Sequence, residues 1–195
     1  MYDLPRRRSG FPRRLNGYGS AGLVACEEAK KCGISVFFGW ESCYEGTEFL
    51  IYGLDEDWLL AHPQIRDASI EEQYEMVHSS GGLVVHPHPY REEDYIPTIR
   101  LYPEYIDAVE GYNACHAGVR SSAHYNPQYD ILAREYADKY DHPLTAGSDS
   151  HHLPILGGGM VFDHKLADIQ DFISCVRQRS CIEFVDGSEG EERFT

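Results

Sequence analysis

A chain of 195 residues, 42% of them hydrophobic and 25% charged, is long enough to bury a core of its own. Its formal net charge of -15 repels a phosphate backbone, so nucleic acid is not an expected partner. No apolar run approaches the roughly 20 residues that cross a bilayer, and no apolar stretch follows the N-terminal arginines as in a secretory signal, so a cytoplasmic setting without membrane contact is expected.

The first twenty residues, MYDLPRRRSGFPRRLNGYGS, mix arginine, proline and glycine without periodicity and read as an irregular basic arm (1–20). One β/α domain is expected over 21–185, and a flexible acidic tail over 186–195. Within the domain, residues 21–32 read as a helix stopped by Gly33. Residues 34–41 (ISVFFGWE) and 47–54 (TEFLIYGL) read as strands joined by a hairpin-like turn at Glu45-Gly46. A short helix follows over 55–61. Ser69 with Glu72 three residues on forms a capping box that opens a helix to about Ser80.

GLVV (82–85) is the next strand, 94–101 a helical stretch interrupted by Pro97, and YIDAVEG (105–111) another strand. Pro127 opens a strong helix to Lys139. PLTAG (143–147) and residues 160–162 are strands, 167–178 a helix, and CIEFV (181–185) a last strand. Strands alternating with helices predict a parallel sheet or barrel, whose sites lie on loops after the strands' carboxyl ends. The six cysteines (Cys26, Cys32, Cys43, Cys115, Cys175 and Cys181) form no CxxC pair and read as free thiols.

Four strands end on groups that ligate metals. The first ends on Glu41, GLVV on His86 and His88, and YIDAV on Glu110, with Asn113 and His116 beyond. PLTAG ends on Asp149 and His151. His86 and His88 are two apart, as are Asp149 and His151, so in extended chain each pair faces one way. Taken singly, His88 reads as a hydrogen-bonded histidine, Glu41 as a surface turn residue and His116 as part of a solvated loop. Four strand ends together read as a metal site, and mixed imidazole and carboxylate ligands suit zinc, manganese or iron. Arg91 reads either as a bidentate holder of a phosphate oxygen or as a solvated partner of Glu92 or Glu93. Gly157, Gly158 and Gly159 read as a place where backbone could approach a ligand.

The order of Gly39-x-Glu41, then GLVV and His88-Pro89-Tyr90-Arg91, then VEGYNA (109–114), then AGSDSH (146–151) resembles the polymerase-and-histidinol-phosphatase (PHP) superfamily of metal-dependent phosphoesterases. The resemblance covers roughly 20–185. It implies an α/β fold, an incomplete, distorted β/α barrel: the family's seven-stranded barrel missing its first one or two β/α units. An HxH pair and a "TDH"-like segment, normal at the family's start, are not found before Glu41.

The resemblance also implies metal ligation by Glu41, His88, Asp149 and His151, with His86 and Glu110 as further ligands, and catalytic roles for Arg91 and His116. The expected cofactors are divalent ions, fewer than the family's full cluster. The expected activity is hydrolysis of a phosphate ester of a small metabolite or nucleotide, as in histidinol phosphatases, impaired by the missing segments. The alternative is an inactive metal- or partner-binding remnant. Exposed sheet edges would favour homo-oligomers.

Overall fold

Glu45 (φ 50°) and Gly46 (φ 88°) both adopt the left-handed conformation, as a two-residue type I′ hairpin turn demands. That turn sets the first half of the sheet. In the computed structural model, which describes residues 27–94, 96, 98–118, 122–151 and 157–188, it joins β1 (Gly39–Tyr44) to β2 (Thr47–Tyr52) antiparallel. β2 then pairs antiparallel with β3 (Leu83–His86). β3, β4 (Ala108–Asn113) and β5 (Leu144–Gly147) run parallel, giving one mixed sheet in the order β1-β2-β3-β4-β5.

β6 (Gly158–Val161) and β7 (Glu183–Asp186) form a separate antiparallel pair. The fold is therefore mixed α/β, and among the described residues no closed barrel is formed. The hairpin expected at Glu45-Gly46 makes β1 and β2 antiparallel, because parallel strands need a crossover of a dozen or more residues, and the parallel sheet expected from the strand–helix alternation is confined to β3, β4 and β5.

The helices follow from their caps. The Asp55 side chain accepts the Trp58 N–H at the start of α1 (Glu56–Ala61). Ser69 and Glu72 form the expected reciprocal capping box at the start of α2 (Ile70–Ser79). Asn126 caps α3 (Pro127–Tyr140), which has proline in its first turn, and Asp168 caps α4 (Ile169–Arg177). No described helix is long and apolar enough to cross a membrane.

Two layers cover the sheet. Phe49, Ile51, Val84 and Val109 face one side and meet Leu59, Val77, Ala133 and Tyr136 from the helices. Leu83, Val85 and Ala108 face the other side and meet Ile173 and Val176 of α4. Side chains alternate along a strand. Glu41, Glu48 and Glu110, neighbours of residues on the first face, thus belong to the second face, beyond the area that α4 covers.

Some boundaries differ from expectation. The strand expected over 34–41 begins only at Gly39, and Ile34, Val36 and Phe38 stand exposed before it. The stretch 94–101 is not helical where described; Tyr95 and Pro97 lie outside the described residues. Pro103–Tyr105 is a 3-10 turn, so β4 starts at Ala108 rather than Tyr105. The arm over 1–20, most of the helix expected over 21–32 and the end of the tail also lie outside the described residues; 27–31 are helical. Cys32, Cys43, Cys115, Cys175 and Cys181 are free thiols. Gly157 and Gly158 serve backbone packing, whereas Gly159 has open space beside it: a Cβ on Gly158 would lie 2.3 Å from the Gly147 carbonyl oxygen, and one on Gly157 3.0 Å from the Gly187 Cα.

Candidate metal centre

β1 runs antiparallel to β2 and β2 antiparallel to β3, so β1 points the same way as β3, β4 and β5. Their carboxyl ends share one rim with the start of β2. Cys43 faces Glu48 across the hairpin, and Glu41 faces Leu50. Residues i and i+2 on one strand and their partners share a face, which places Glu41 and Glu48 side by side.

His88 completes the cluster. Its Nε2 lies 3.6 Å from Glu41 Oε1 and 3.7 Å from Glu48 Oε2. One ligand atom from each of the three lies within 4.8 Å of the others. His88 reaches this face because Pro87 ends β3 and His88 itself turns to φ 29°, a left-handed conformation uncommon outside glycine. Glu110 holds that turn: its Oε2 accepts the His88 backbone N–H at 3.1 Å and the Asn113 Nδ2–H at 2.9 Å. A Cβ on Gly147 would meet Glu110 Oε1 at 2.7 Å, so β5 leaves the carboxylate its space only because residue 147 is glycine.

The same turn separates His86 from the cluster. A two-residue spacing puts side chains together only in extended chain, and the chain is not extended here. The His86 ring stays on the helix-covered face, 5.2 Å from the Phe49 ring and 5.9 Å from the Tyr136 ring, and its Nδ1 is buried without a hydrogen bond. The structure does not bring it into the group formed by Glu41, Glu48 and His88.

Asp149, also left-handed at φ 45°, stands on the loop after β5. Its Oδ2 pairs with Arg91 Nη2 at 2.6 Å. Arg91 is buried, and its Nε donates to His116 Nε2 at 3.0 Å. His116 Nδ1 in turn donates to Asp130 Oδ1 at 2.7 Å, and Asp130 Oδ2 accepts the Asn113 N–H at 3.0 Å. The solvated pairing of Arg91 with Glu92 or Glu93 is thus replaced by a buried relay, Asp149–Arg91–His116–Asp130. His116 is fully buried rather than on a solvated loop; a turn of π-helix over Ala114–Gly118 carries it. His151 is mostly exposed, its Nδ1 3.0 Å from the Asp149 carbonyl oxygen and 3.6 Å from Asp149 Oδ1.

Electrostatics follow from this crowding. Burial, then the Glu41 charge, pushes the Glu48 carboxyl up to about 7. Burial likewise pushes Glu110 to about 7, against the hydrogen bonds from Asn113 and His88. Glu41 is raised by burial and by Asp149. Burial also pulls Asp149 up, but the charges of Arg91 and His88 outweigh it and hold the carboxyl below its usual value. Burial, then Arg91, pushes His88 down and keeps its imidazole neutral, as a metal ligand must be. Several carboxylates forced together around a neutral imidazole fit a divalent cation: the ion supplies the charge that would let all of them ionise. The donor set, oxygen and nitrogen without thiolate, suits manganese, iron or zinc.

Glu48 and Asp130 were not singled out as site residues by sequence reasoning. Glu48 escapes it because β2 runs against the other strands and delivers its start, not its end, to the rim. Asp130 resembles any acidic residue in a helix's first turn. A cavity of about 190 Å³ lies elsewhere, lined by Arg134, Met160, Cys175, Arg179, Cys181 and Phe184. Its two arginines are already bound to the Gly111 carbonyl and to Asp141, so the rim remains the better candidate for chemistry.

Fold and site define a class: an α/β protein whose sheet rim gathers two carboxylates, on β1 and β2, and an imidazole from the loop after β3 as a candidate group for a divalent metal. A family model described as PHP-associated matches residues 131–181, a segment that includes Asp149 and His151. No curated protein and no solved structure matches the chain.

Proposed function

We propose that this chain is a metal-dependent phosphoesterase of the PHP kind, acting on a phosphate ester of a small metabolite or nucleotide, with histidinol phosphate among the candidates. The observation that carries the reading is the convergence of Glu41, Glu48 and His88 within 4.8 Å of one another, on the rim where Asp149 and His151 also stand. A divalent ion bound there supplies Lewis-acid stabilisation of phosphoryl charge and acidifies water for attack.

The chain's own residues divide the remaining work. Glu41, Glu48 and His88 would hold the ion, with Asp149 and His151 beside them. Glu110 and Asn113 fix the turn that aims His88. The Asp130 carboxylate holds the Nδ1–H tautomer of His116, which leaves Nε2 to accept from Arg91 and fixes the guanidinium at the rim. Arg91 brings positive charge to an anionic surface that would otherwise repel a phosphate. Since Asp149 Oδ2 is engaged by Arg91, the arrangement favours fewer ions than a full family cluster.

The test is turnover of an aryl phosphate by purified protein given manganese or zinc. Metal-dependent hydrolysis that collapses in His88→Ala and Glu48→Gln supports the reading. No metal-dependent turnover, or turnover unaffected by both changes, ends it. One observation favours the rival reading of an inactive metal-binding remnant: both ring nitrogens of His116 are engaged inside the protein, so the rim lacks a free imidazole there for proton transfer. Metal bound at the rim without ester hydrolysis would decide for the remnant.

A further inference from the structure

A second group of ligating atoms lies away from the rim and shares no residue with it. His164, on the chain between β6 and α4, Asp171 in the first turn of α4, and Cys175 one turn further on each offer one ligand atom, and the three atoms lie within 4.8 Å of one another. His164 Nε2 is 3.3 Å from Asp171 Oδ1, and Cys175 Sγ is 3.9 Å from the same oxygen. Ligands around a tetrahedral zinc ion, with bonds of about 2.0–2.3 Å, stand roughly 3.3–3.6 Å apart. The two separations from Asp171 Oδ1 thus lie within about half an ångström of those values.

A second observation singles this group out from an ordinary surface ion pair. The other ring nitrogen of His164, Nδ1, is held by Asp163 Oδ1 at 2.6 Å. A carboxylate on the far nitrogen is the device that orients metal-binding histidines, fixing the tautomer and raising the basicity of the ligating nitrogen. Asp171 is itself anchored: its Oδ2 accepts the Ala167 N–H at 2.9 Å, while Oδ1 faces Cys175. Cys175 is buried, 6% exposed, whereas the His164 side chain is 46% exposed, so the group has a sulfur floor and an open side toward water.

We propose that His164, Asp171 and Cys175 form a separate binding site for a thiophilic divalent ion of the zinc class, ligated by Nε2, a carboxylate oxygen and Sγ. A mixed thiolate, imidazole and carboxylate set selects zinc over magnesium or calcium, and is softer than the nitrogen–oxygen set of the rim. The site ties the chain after β6 to α4, inside the 131–181 segment, and an ion there would staple the helix whose Ile173 and Val176 cover the second face of the sheet.

Cobalt(II) titration of the full chain tests this, because thiolate ligation gives cobalt a near-ultraviolet charge-transfer band. The band should appear, be abolished by zinc, and be lost in Cys175→Ser. His164→Ala, a change at an exposed side chain, should weaken cobalt binding at this band by about tenfold or more, and Asp163→Asn by about tenfold. His88→Ala and Glu48→Gln should leave the band intact, which separates this site from the rim. Absence of the band overturns the proposal. So does a band that survives Cys175→Ser, one of unchanged affinity in His164→Ala, or one lost in Cys43→Ser, the thiol nearest the rim carboxylates.

Discussion

Arg91 Nη2 lies 2.6 Å from Asp149 Oδ2, and this pair joins the loop after β3 to the loop after β5. Arg91 is almost fully buried while Asp149 keeps 19% of its side chain exposed. Removing the arginine strands the carboxylate and leaves His116 Nε2 without its donor. Breaking a buried pair from one side costs about 3–5 kcal/mol, and the partial exposure of Asp149 puts Arg91→Ala near the lower end. Urea unfolding of the variant should show a loss of about 3 kcal/mol. Arg91→Lys should lose less stability, keeping a charge for Asp149 but not the fork that also reaches His116.

Asn113 touches none of the proposed ligand atoms of Glu41, Glu48 or His88, yet it donates to the carboxylate that holds the His88 turn. Asn113→Ala should lower manganese affinity at the rim by about 10–100-fold, as losses of such supporting groups do. Calorimetric titration checks this, and an affinity equal to the unmodified protein would remove Glu110 and Asn113 from the positioning of His88.

Glu48 is raised from an ordinary 4.5 to about 7, so the folded, metal-free protein holds a proton there that the unfolded chain has released. That contribution to stability is complete below 4.5 and lost as pH rises through about 7. Glu110, raised to about 7, acts in the same sense. Thermal melts of metal-free protein against Glu48→Gln should show the unmodified chain falling behind as pH climbs across this window. Manganese, which binds the ionised carboxylates, should recover the difference and stabilise more at pH 8 than at pH 5.

His86 works in the opposite sense. Burial lowers it from 6.5 to about 3, so the folded state resists a proton that the unfolded state accepts, and stability is lost as pH falls below 6.5. His86→Phe should fit the aromatic slot between Phe49 and Tyr136, remove an unpartnered buried nitrogen and flatten this acid loss. Metal stoichiometry at the rim should not change. A lost equivalent would return His86 to the ligands.

The residues differ in how far their roles could be read from sequence. Ser69 with Glu72, Glu45-Gly46 and Pro127 each act through local chemistry: the two helices start where expected and the hairpin turn falls at Glu45-Gly46, although the strand before it is shifted to Gly39–Tyr44. His88 and Asp149 stand just past strand ends, as their places in the sequence indicate, whereas Glu41, expected at a strand end, lies inside β1. His86 misled because a spacing of two means one face only while the chain stays extended, and nothing local announces that His88 turns to φ 29°. Glu48 was hidden by strand direction, a property of the sheet and not of the residue. Asp130 acts across 14 positions on His116, a pairing set by where α3 lies against β4.

Glu41 and Glu48 are carried by a single hairpin whose two-residue turn allows one pairing. Lengthening that turn by one residue would shift one arm by half a pleat and send its carboxylate into the oily layer beneath, while its partner stayed at the rim. The loop is thus a ruler for the distance between two charges. Variation in its length should be far less tolerated than variation in which side chains occupy it.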